Sequence, residues 1–417
     1  MRSVGLPGDK SISHRALILA AVTEGRARIR GVLSSADVAS TAGVLSALGV
    51  ALLPLDPAEM VVTGVGLRGL RASPTDLDCG NSGTSARLMA GLLAGAGLPA
   101  RLIGDASLSA RPMRRVAEPL RAMGADITPS ASGGLPMTLG ARRLHELVWR
   151  TEVPSAQVKS ALLLAGLMAG VRVAVDEPIA TRDHTERMLR AAGVDVHRDG
   201  TAVVLEPTDR IAIDVLEIPG DCSSAAFLLG LALLGGSPPL ALQDVGVNPG
   251  RIGAIEVLRR MGASIRFESE RSFGEEPVAT IVVESSALRG ITIGGAMIPA
   301  LIDELPLLAC VAARAEGETV VTGAGELRVK ESDRIRAVVE NLRAVGAEAE
   351  ELPDGFVVRG SDRPLRGMVR THGDHRIAMA FGVLGALKGN AITLDDPSCV
   401  AVSWPTFWDT LSEATGT

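Results

Sequence analysis

Near its beginning the chain reads Pro7-Gly8-Asp9-Lys10-Ser11-Ile12-Ser13-His14-Arg15, followed by the apolar run Ala16-Leu17-Ile18-Leu19-Ala20-Ala21. A glycine turn, polar residues and then apolar residues predict a helix capped by Ser11 or Ser13. The positive end of a helix macrodipole does not favour cations, yet Lys10 and Arg15 flank this end. The stretch therefore favours a phosphate or carboxylate site, with an ordinary capped helix as the alternative.

This pattern of a polar turn before an apolar helix recurs along the whole chain. Six markers lie at intervals of 71, 73, 68, 80 and 71 residues: Ser11, Ser82, Ser155, Ser223, Asp303 and Asp374. Second, amphipathic helices that end before a glycine are predicted at Val38–Leu48, Met113–Met123, Thr185–Ala192, Ile252–Met261 and Arg334–Val345. Short β-branched runs, predicted strands, lie between them. The chain is thus an α/β repeat of about 70 residues, present six times.

Length and composition limit the classes of protein. A chain of 417 residues is expected to form two domains, with a boundary near Glu217–Pro219. A net charge of −6 and 2% aromatic residues argue against nucleic-acid binding. The four cysteines are far apart, which predicts free buried thiols and neither disulfides nor a metal site. No signal peptide or membrane span is evident, so we expect a cytoplasmic protein that does not bind membranes.

The predicted helix beginnings carry most of the candidate site residues. If the repeats are arranged equivalently, three beginnings converge in each domain, and the two domains form a cleft that binds an anionic ligand. Basic residues from both halves of this acidic chain fit such a site, and they need no metal to neutralise the ligand. These residues are Lys10, Arg15, Arg111, Lys330, Arg334 and Arg376.

Other polar residues suit binding or proton transfer. The Gly80–Thr84 turn, with Asn81 and Gly83, allows backbone N–H groups to approach an anion. Ser155-Ala156-Gln157 offers a hydroxyl and an amide to a polyhydroxylated substrate. The spacing of Lys330 and Arg334 predicts one shared helix face, and cations beside Glu331 would lower its pKa.

Two acidic residues have both structural and functional interpretations. Asp303 is predicted to be either a helix cap or a general base. Asp183, which precedes a predicted helix, has an ordinary N-cap role as its alternative.

Together these motifs resemble the enolpyruvyl transferase family, in particular its branch that acts on shikimate 3-phosphate. The resemblance covers essentially the whole chain and rests on residues 8–15, 80–84, 155–157, 328–334 and 374–376. It implies a two-domain inside-out α/β barrel with three βαβαββ units in each domain. The implied domains are residues 8–217 and residues 1–7 with 218–417, with the active site in the cleft between them.

The resemblance also implies a reaction and roles for residues. The enolpyruvyl group of phosphoenolpyruvate would be transferred to shikimate 3-phosphate through a tetrahedral ketal, by a monomer without cofactor or metal. Asp303 would be the base for the substrate hydroxyl, and Glu331, helped by Lys10, would handle the proton at the methylene carbon. Shikimate 3-phosphate would be bound by Lys10, Ser11, Arg15, Ser155, Ala156, Gln157, Arg182, Asp303 and Lys330. Phosphoenolpyruvate would be bound by Lys10, Asn81, Gly83, Arg111, Gln157, Arg334 and Arg376.

Several positions depart from the pattern of the best-known bacterial members. Val402 stands where many members have a lysine that binds phosphoenolpyruvate, Ala156 replaces a serine, and Glu326 replaces an asparagine. The stretch 181–184 lacks the usual serine and tyrosine, for which Arg182 is expected to compensate. Gly83 leaves the phosphoenolpyruvate pocket unobstructed, so we expect sensitivity to glyphosate.

Three alternative functions remain open. The sister branch acts on a UDP-N-acetylhexosamine, but it has a reactive cysteine in a loop that here, at Ser107–Pro112, contains none. A non-catalytic anion-binding protein would use Asp303 and Glu331 only as caps. A nucleotide phosphotransferase is disfavoured because the chain lacks the G-x-x-x-x-G-K-[ST] motif.

Overall fold

The structure is a computed structural model that describes residues 2–416. These residues form 14 α-helices and four short 3₁₀-helices, the latter at Gly295–Met297, Ile302–Glu304, Gly325–Val329 and Pro397–Val402. The α-helices are α1 Lys10–Val22, α2 Ala36–Ala47, α3 Gly83–Ala96, α4 Ala106–Ser109, α5 Arg114–Ala122, α6 Ala156–Ala169, α7 His184–Ala191, α8 Cys222–Leu233, α9 Gly253–Arg260, α10 Ile298–Leu301, α11 Leu305–Ala312, α12 Arg334–Ala344, α13 His375–Gly385 and α14 Phe407–Thr415.

The β-strands are short and lie between these helices. They are β1 Arg2–Val4, β2 Glu24–Arg30, β3 Ala51–Leu52, β4 Met60–Val65, β5 Leu77–Asp78, β6 Ala100–Ile103, β7 Ile127–Thr128, β8 Met137–Leu139, β9 Leu147–Arg150, β10 Val173–Asp176, β11 Val196–Asp199, β12 Ala202–Leu205, β13 Val215–Glu217, β14 Leu240–Gly246, β15 Ile265–Phe273, β16 Glu276–Val283, β17 Thr292–Ile293, β18 Glu318–Val321, β19 Glu348–Leu352, β20 Gly355–Arg359, β21 Arg366–Val369 and β22 Ala391–Leu394.

The strands form six sheets, one for each predicted repeat. Five sheets have four strands, in the orders β13-β2-β4-β3, β5-β6-β8-β7, β9-β10-β12-β11, β1-β14-β16-β15 and β17-β18-β20-β19, and the sixth is the pair β21-β22. Each sheet contains one parallel pair, such as β5 with β6 or β21 with β22. Because a parallel pair needs a crossover connection, the apolar helices α3, α6, α11 and α13 each lie in the chain between two paired parallel strands. The predicted α/β repeat is therefore present, but the sixth repeat has no terminal hairpin among residues 2–416.

The chain divides into two compact units. The N-terminal unit comprises Gly8–Ile218 and Ser272–Glu276, and the C-terminal unit comprises the residues up to Pro7, Pro219–Arg271 and the residues from Pro277 onward. The predicted domains differ from these units at Ile218 and at Ser272–Glu276. The latter segment contains the turn between β15 and β16.

Each unit is completed by a strand from a distant part of the chain. In the N-terminal unit β13 pairs with β2, with Val215 opposite Arg28. In the C-terminal unit β1 pairs with β14, with Arg2 opposite Leu240. In the first sheet of each unit, the outer parallel strand therefore comes from outside the repeat that supplies the other strands.

The first helices of the repeats form the cores, as their apolar composition predicts. Every residue of α8 and of α11 is buried. Helices α3 and α6 pack so closely that a Cβ atom on Gly91 would lie 2.1 Å from the carbonyl oxygen of Ala161. Glycine at position 91 therefore permits the contact between these two helices.

The glycines that follow the second helices have the predicted left-handed conformation. Their φ angles are 93° at Gly49, 98° at Gly124, 84° at Gly193, 106° at Gly262 and 92° at Gly346. A residue with a side chain is strained in this region, so glycine at the position after the helix allows the chain to turn away.

Two further features of the cores concern thiols and a long apolar segment. Cys79, Cys222, Cys310 and Cys399 are free and buried, as predicted, and burial raises the pKa of the Cys79 thiol to about 12. By length and composition Gly295–Ala312 is able to span a membrane, but 61% of it is buried. Such burial is typical of a core helix.

Candidate functional site

In the N-terminal unit, the first helix begins at Lys10 and is capped by Asp9. The carboxylate of Asp9 accepts a hydrogen bond of 2.8 Å from the backbone N–H of Ile12. The predicted capping by Ser11 or Ser13 is wrong, because both serines lie inside the first turn of α1. The hydroxyl of Ser13 instead accepts a bond of 3.0 Å from the N–H of Leu33. Ser11 is thereby free of the capping role.

Lys10 is paired with an acid that the sequence analysis did not identify. Its Nζ atom lies 2.9 Å from a carboxylate oxygen of Asp37, in the first turn of α2, and Asp37 is buried. An acid in the first turn of a helix is common, which gives the sequence no reason to single it out. This pair holds the ammonium group at the beginning of α1.

Arg15 is buried and donates from three nitrogen atoms. Its Nε bonds to the Thr185 hydroxyl and its Nη2 to the Ser160 hydroxyl, both at 2.7 Å, and its Nη1 bonds to the Ser11 carbonyl at 2.8 Å. Burial lowers the pKa of Arg15 to about 10, although Glu186 and Asp9 act to raise it. A desolvated guanidinium gains more from a nearby anion than an exposed one does, so Arg15 suits a phosphate ligand.

The loop before α3 orients a second arginine. Ser82 caps α3, and the side-chain carbonyl of Asn81 accepts a bond of 2.6 Å from Arg111 Nη2. The amide of Asn81 donates to Asp105 at 2.6 Å, which fixes its orientation. Arg111 lies between α4 and α5 and not at the first residue of a helix. Asn81 and Arg111, both predicted site residues, are thus in direct contact.

Gln157 joins the beginnings of α3 and α6. Its side-chain carbonyl accepts a bond of 2.7 Å from Arg87 Nη1, and its amide donates to the Thr84 hydroxyl at 3.0 Å. A Cβ atom on Gly83 would lie 2.8 Å from Arg87 Nη1 and 3.4 Å from Arg111 Nη1. Gln157, Gly83 and Arg111 are therefore brought together around Arg87.

Arg87 was not among the predicted site residues. The signal that points to it is its spacing, since it lies four residues after Gly83 and so one turn along the same face of α3.

The remaining predicted residues of this unit lie at the beginning of α6 and in the loop before α7. The hydroxyl of Ser155 caps α6 by accepting a bond of 3.3 Å from Val158 N–H, and Ala156 is the first helical residue. Arg182 acts to lower the pKa of Arg15, as a second cation nearby does. Asp183 occupies the N-cap position of α7 but makes no capping bond, and it pairs with Arg187 at 2.9 Å.

In the C-terminal unit Arg334 is the centre of the site. It is 1% exposed. Its Nε lies 2.8 Å from Asp374, its Nη2 lies 2.7 Å from Glu331, and its Nη1 lies 3.5 Å from Asp303. One buried guanidinium therefore contacts three carboxylates, two of which, Asp303 and Glu331, are the predicted catalytic residues.

Arg334 and Asp374 stabilise each other's charged forms. Burial acts to lower the pKa of Arg334, but Asp374, Glu331 and Asp303 outweigh it, so this pKa is raised. Burial acts to raise the pKa of Asp374, but Arg334 outweighs it, so this pKa is lowered. The predicted lowering of the pKa of Glu331 stays a prediction.

Lys330 does not share a helix face with Arg334, so that prediction is wrong. Asp333 caps α12 by accepting a bond of 3.1 Å from Arg336 N–H, and the helix therefore begins after Lys330. Nevertheless, Lys330 Nζ lies 3.3 Å from the Asp303 oxygen that faces Arg334. Two cations thus contact one carboxylate, although they do not lie on one helix face.

Asp303 is not the cap of the following helix. It lies in the 3₁₀-helix Ile302–Glu304, and α11 begins at Leu305. Of its two predicted roles, helix cap or general base, the geometry excludes the first.

Arg376 lies beside the same segment. Its Nη1 donates to the backbone carbonyl of Asp303 at 3.0 Å and to the carboxylate of Glu304 at 3.2 Å. Its backbone N–H donates to Asp374 at 3.0 Å, so Asp374 caps α13. Glu304, which is buried, was missed by the sequence analysis, because next to Asp303 it resembled an ordinary residue of a helix beginning.

The site residues thus form one group in each unit. The N-terminal group holds Lys10, Arg15, Asn81, Gly83, Arg111 and Gln157 in a cationic environment suited to anions. The C-terminal group places two carboxylates beside cations, an arrangement suited to proton transfer. Within residues 2–416 no three His, Cys, Asp or Glu side chains cluster as metal ligands would.

Comparison with known proteins shows the family to which the chain is similar. The sequence profile described as EPSP synthase (3-phosphoshikimate 1-carboxyvinyltransferase) matches residues 2–411. A 3-phosphoshikimate 1-carboxyvinyltransferase from Alkalilimnicola ehrlichii is 48% identical over 98% of this chain and 92% of the relative. One from Acidithiobacillus ferrooxidans is 49% identical over 96% of this chain and 92% of the relative.

Solved structures agree on the fold. EPSP synthase from Acinetobacter baumannii matches with a TM-score of 0.88 and 41% identity, over 99% of this chain and 95% of the other. The enolpyruvyl transferase NikO from Streptomyces tendae matches with a TM-score of 0.76, and at 19% identity it supports the fold alone. These likenesses confirm the predicted fold class, the two-domain inside-out α/β barrel.

Proposed function

The chain belongs to the EPSP synthase (3-phosphoshikimate 1-carboxyvinyltransferase) family, and we propose that its two groups of site residues act together on the two substrates of that reaction. The enzyme transfers the enolpyruvyl group of phosphoenolpyruvate to the 5-hydroxyl of shikimate 3-phosphate, in the shikimate pathway. The products are 5-enolpyruvylshikimate 3-phosphate and phosphate.

The beginnings of α1 and α6 bind shikimate 3-phosphate in this proposal. The N-terminal unit contributes Lys10, Ser11, Arg15, Ser155, Ala156, Gln157 and Arg182, and the C-terminal unit contributes Asp303 and Lys330. The desolvated guanidinium of Arg15 supports a phosphate ligand, because an anion would offset the lowering of its pKa by burial. The hydroxyls and amide suit the ring substituents of the substrate.

Phosphoenolpyruvate is bound by a second set of cations. This set comprises Lys10, Asn81, Gly83, Arg111, Gln157, Arg334 and Arg376, and the position of Arg87 adds it to the set. Arg111 is oriented by its 2.6 Å contact with Asn81. An oriented guanidinium can hold a phosphate or carboxylate through two parallel hydrogen bonds.

The two carboxylates of the C-terminal unit carry the proton transfers. Asp303 accepts the proton of the 5-hydroxyl of shikimate 3-phosphate. At the same time the hydroxyl oxygen bonds to the second carbon of phosphoenolpyruvate. Glu331, helped by Lys10, donates a proton to the methylene carbon, which gives a tetrahedral ketal with a methyl group. Glu331 then takes a proton back from that methyl group, which restores the double bond and breaks the carbon–oxygen bond to phosphate, and phosphate leaves with the proton that Asp303 had accepted.

Assembly, location and cofactor use are also proposals. We propose that the enzyme is a monomer. The cations already counter the charges of both substrates, so the reaction needs neither a metal nor a cofactor. We place the enzyme in the cytoplasm, with no nucleic-acid or membrane partner.

The observation that carries the proposal is the contact of Arg334 with Asp303, Glu331 and Asp374. The test is phosphate release from phosphoenolpyruvate by the purified protein, with shikimate 3-phosphate, with a UDP-N-acetylhexosamine, or with no acceptor. Release only with shikimate 3-phosphate supports the proposal. Release only with the nucleotide sugar would assign the sister activity, and no release with any acceptor would leave a binding protein.

A further inference from the structure

Lys159 is a buried cation that none of the proposed roles uses. It lies in α6, has no exposed surface, and is one of only four lysines beside 38 arginines in the chain. Its Nζ lies 2.7 Å from Glu177 Oε2 and 2.7 Å from Glu186 Oε1. Both acids are buried as well, so the three side chains form a buried ionic cluster. The half-exposed Arg198 also approaches Glu177, with its Nη2 3.6 Å from Oε2.

The charges in this cluster depend strongly on one another. Burial raises the pKa of Glu186 above its ordinary value, and Lys159 is the main group that acts to lower it. Glu177 adds a like charge that raises it further. Because a buried charge without a partner is very unfavourable, replacing Lys159 by a neutral residue would leave two carboxylates in mutual repulsion.

Two members of the cluster adjoin segments that hold residues proposed to bind shikimate 3-phosphate. The backbone N–H of Lys159 donates to the carbonyl of Ser155 at 3.1 Å, at the beginning of α6. Glu177 accepts a hydrogen bond from the hydroxyl of Thr181, in the loop that continues to Arg182.

The third member acts on Arg15. Glu186 acts to raise the pKa of Arg15, and the adjacent Thr185 accepts the 2.7 Å bond from Arg15 Nε. The cluster thus supports the beginning of α6, the loop before α7 and the guanidinium of Arg15 together.

We propose that Lys159, through Glu177 and Glu186, is a positioning residue for the binding of shikimate 3-phosphate. This inference rests on the proposed function. A fully buried ammonium acts on the substrate through the segments that it holds. The cluster makes no contact with Arg87, Asn81 or Arg111, and of the residues assigned to phosphoenolpyruvate only Gln157 lies on α6, so its effect falls mainly on shikimate 3-phosphate.

The test compares Michaelis constants for the two substrates in a Lys159→Met variant. We expect the KM for shikimate 3-phosphate to rise about tenfold or more, because small displacements of binding groups are costly. The KM for phosphoenolpyruvate should stay within about twofold, since the contact of Asn81 with Arg111 is retained and only Gln157 of its set lies on α6. A Lys159→Met/Glu186→Gln double variant, which removes one of the two repelling carboxylates, should regain part of the lost affinity.

The control is Arg314→Met in the C-terminal unit. Arg314 donates to the carbonyl of Ser361 and to the side chain of Asn390, away from the assigned site residues. It should lower the melting temperature and leave both KM values unchanged. A selective rise in one KM separates positioning from a general loss of stability.

Equal changes in both KM values, or no change in either, would overturn the inference. If Lys159→Met does not fold, Glu177→Gln is the second variant, because it keeps the pair of Lys159 with Glu186. It should raise the KM for shikimate 3-phosphate selectively, but by less. Equal changes in both KM values would again overturn the inference. A wild-type protein without phosphate release in the presence of shikimate 3-phosphate would instead refute the proposed function itself.

Discussion

Nε and Nη2 of Arg334 lie 2.8 and 3.2 Å from the two carboxylate oxygens of Asp374, a two-pronged contact between fully buried side chains. Asp374 is the N-cap residue of α13, and Arg334 is the first residue of α12. The contact therefore fixes the guanidinium from one side while its remaining edge faces Asp303 and Glu331. Both proposed proton-transfer groups are held against a single immobile cation.

Asp374→Asn should make the free energy of unfolding depend less on pH in the acidic range. We expect it to lower the free energy of unfolding at pH 7 by about 3 kcal/mol, because it leaves a buried guanidinium with weaker partners. The lowered pKa of Asp374 contributes stability that is fully present above the unfolded pKa of about 3.9 and is lost as pH falls through the folded pKa.

Urea unfolding at pH 7 and at lower pH measures this difference. The difference in free energy of unfolding between wild type and Asp374→Asn should be largest at pH 7 and should become smaller below about pH 4. Asp209→Asn, at an exposed position, is the matched control and should change neither value. A gap that is independent of pH would show that the carboxylate charge of Asp374 does not stabilise the fold.

Gly83→Ala should reduce inhibition by glyphosate more than it reduces the use of phosphoenolpyruvate. The added methyl group would lie 2.8 Å from Arg87 Nη1 and 3.4 Å from Arg111 Nη1, so the arginine side chains must move. We expect the glyphosate concentration for half inhibition to rise about tenfold relative to the KM for phosphoenolpyruvate, equivalent to about 1.4 kcal/mol. Steady-state kinetics with the inhibitor measures both values.

Gly43→Ala is the matched control for this substitution. Gly43 lies inside α2, and a Cβ atom there meets no other atom within 4 Å. It should stabilise the fold by about 0.5–1 kcal/mol without changing inhibition. Wild-type activity that persists at glyphosate concentrations far above the KM for phosphoenolpyruvate would refute the expected sensitivity.

Asp303→Asn and Glu331→Gln should each lower kcat by about 10²–10⁴-fold, since each removes one group that transfers a proton. Both amides keep the shape of the side chain, so circular dichroism should remain as in the wild type. Shikimate 3-phosphate should still bind to Glu331→Gln, which calorimetry measures. If either variant keeps wild-type kcat, that residue is not a general acid or base.

Patterns that repeat along the chain predicted the fold well. The left-handed glycines after the second helices and the burial of the first helices follow from local rules, and the structure agrees at Gly49, Gly124 and Gly346. The cap of α1 did not follow, because Asp9, Ser11 and Ser13 are all good capping residues and only the register of the helix selects Asp9.

The site was predictable as a set of residues but not as a set of contacts. Lys330 and Arg334 both contact Asp303, but they do not lie on one helix. Asp333 caps α12, so the helix begins at Arg334 and Lys330 lies before it. Asp37 and Glu304 make their contacts through tertiary packing, which no spacing in the sequence encodes, whereas Arg87 lies one helical turn after Gly83. Likewise, the assignment of Ser272–Glu276 to the N-terminal unit depends on contacts far apart in sequence, such as His184 with Glu276 at 2.7 Å.

Running the reaction in D₂O tests enolpyruvyl transfer by addition and elimination most directly. A ketal with a methyl group forms by taking up a proton from Glu331, which exchanges with solvent. We expect deuterium in the methylene group of the enolpyruvyl product, detected by mass spectrometry and NMR, only when shikimate 3-phosphate is present. Product that forms at the normal rate with no deuterium in that methylene group would contradict it.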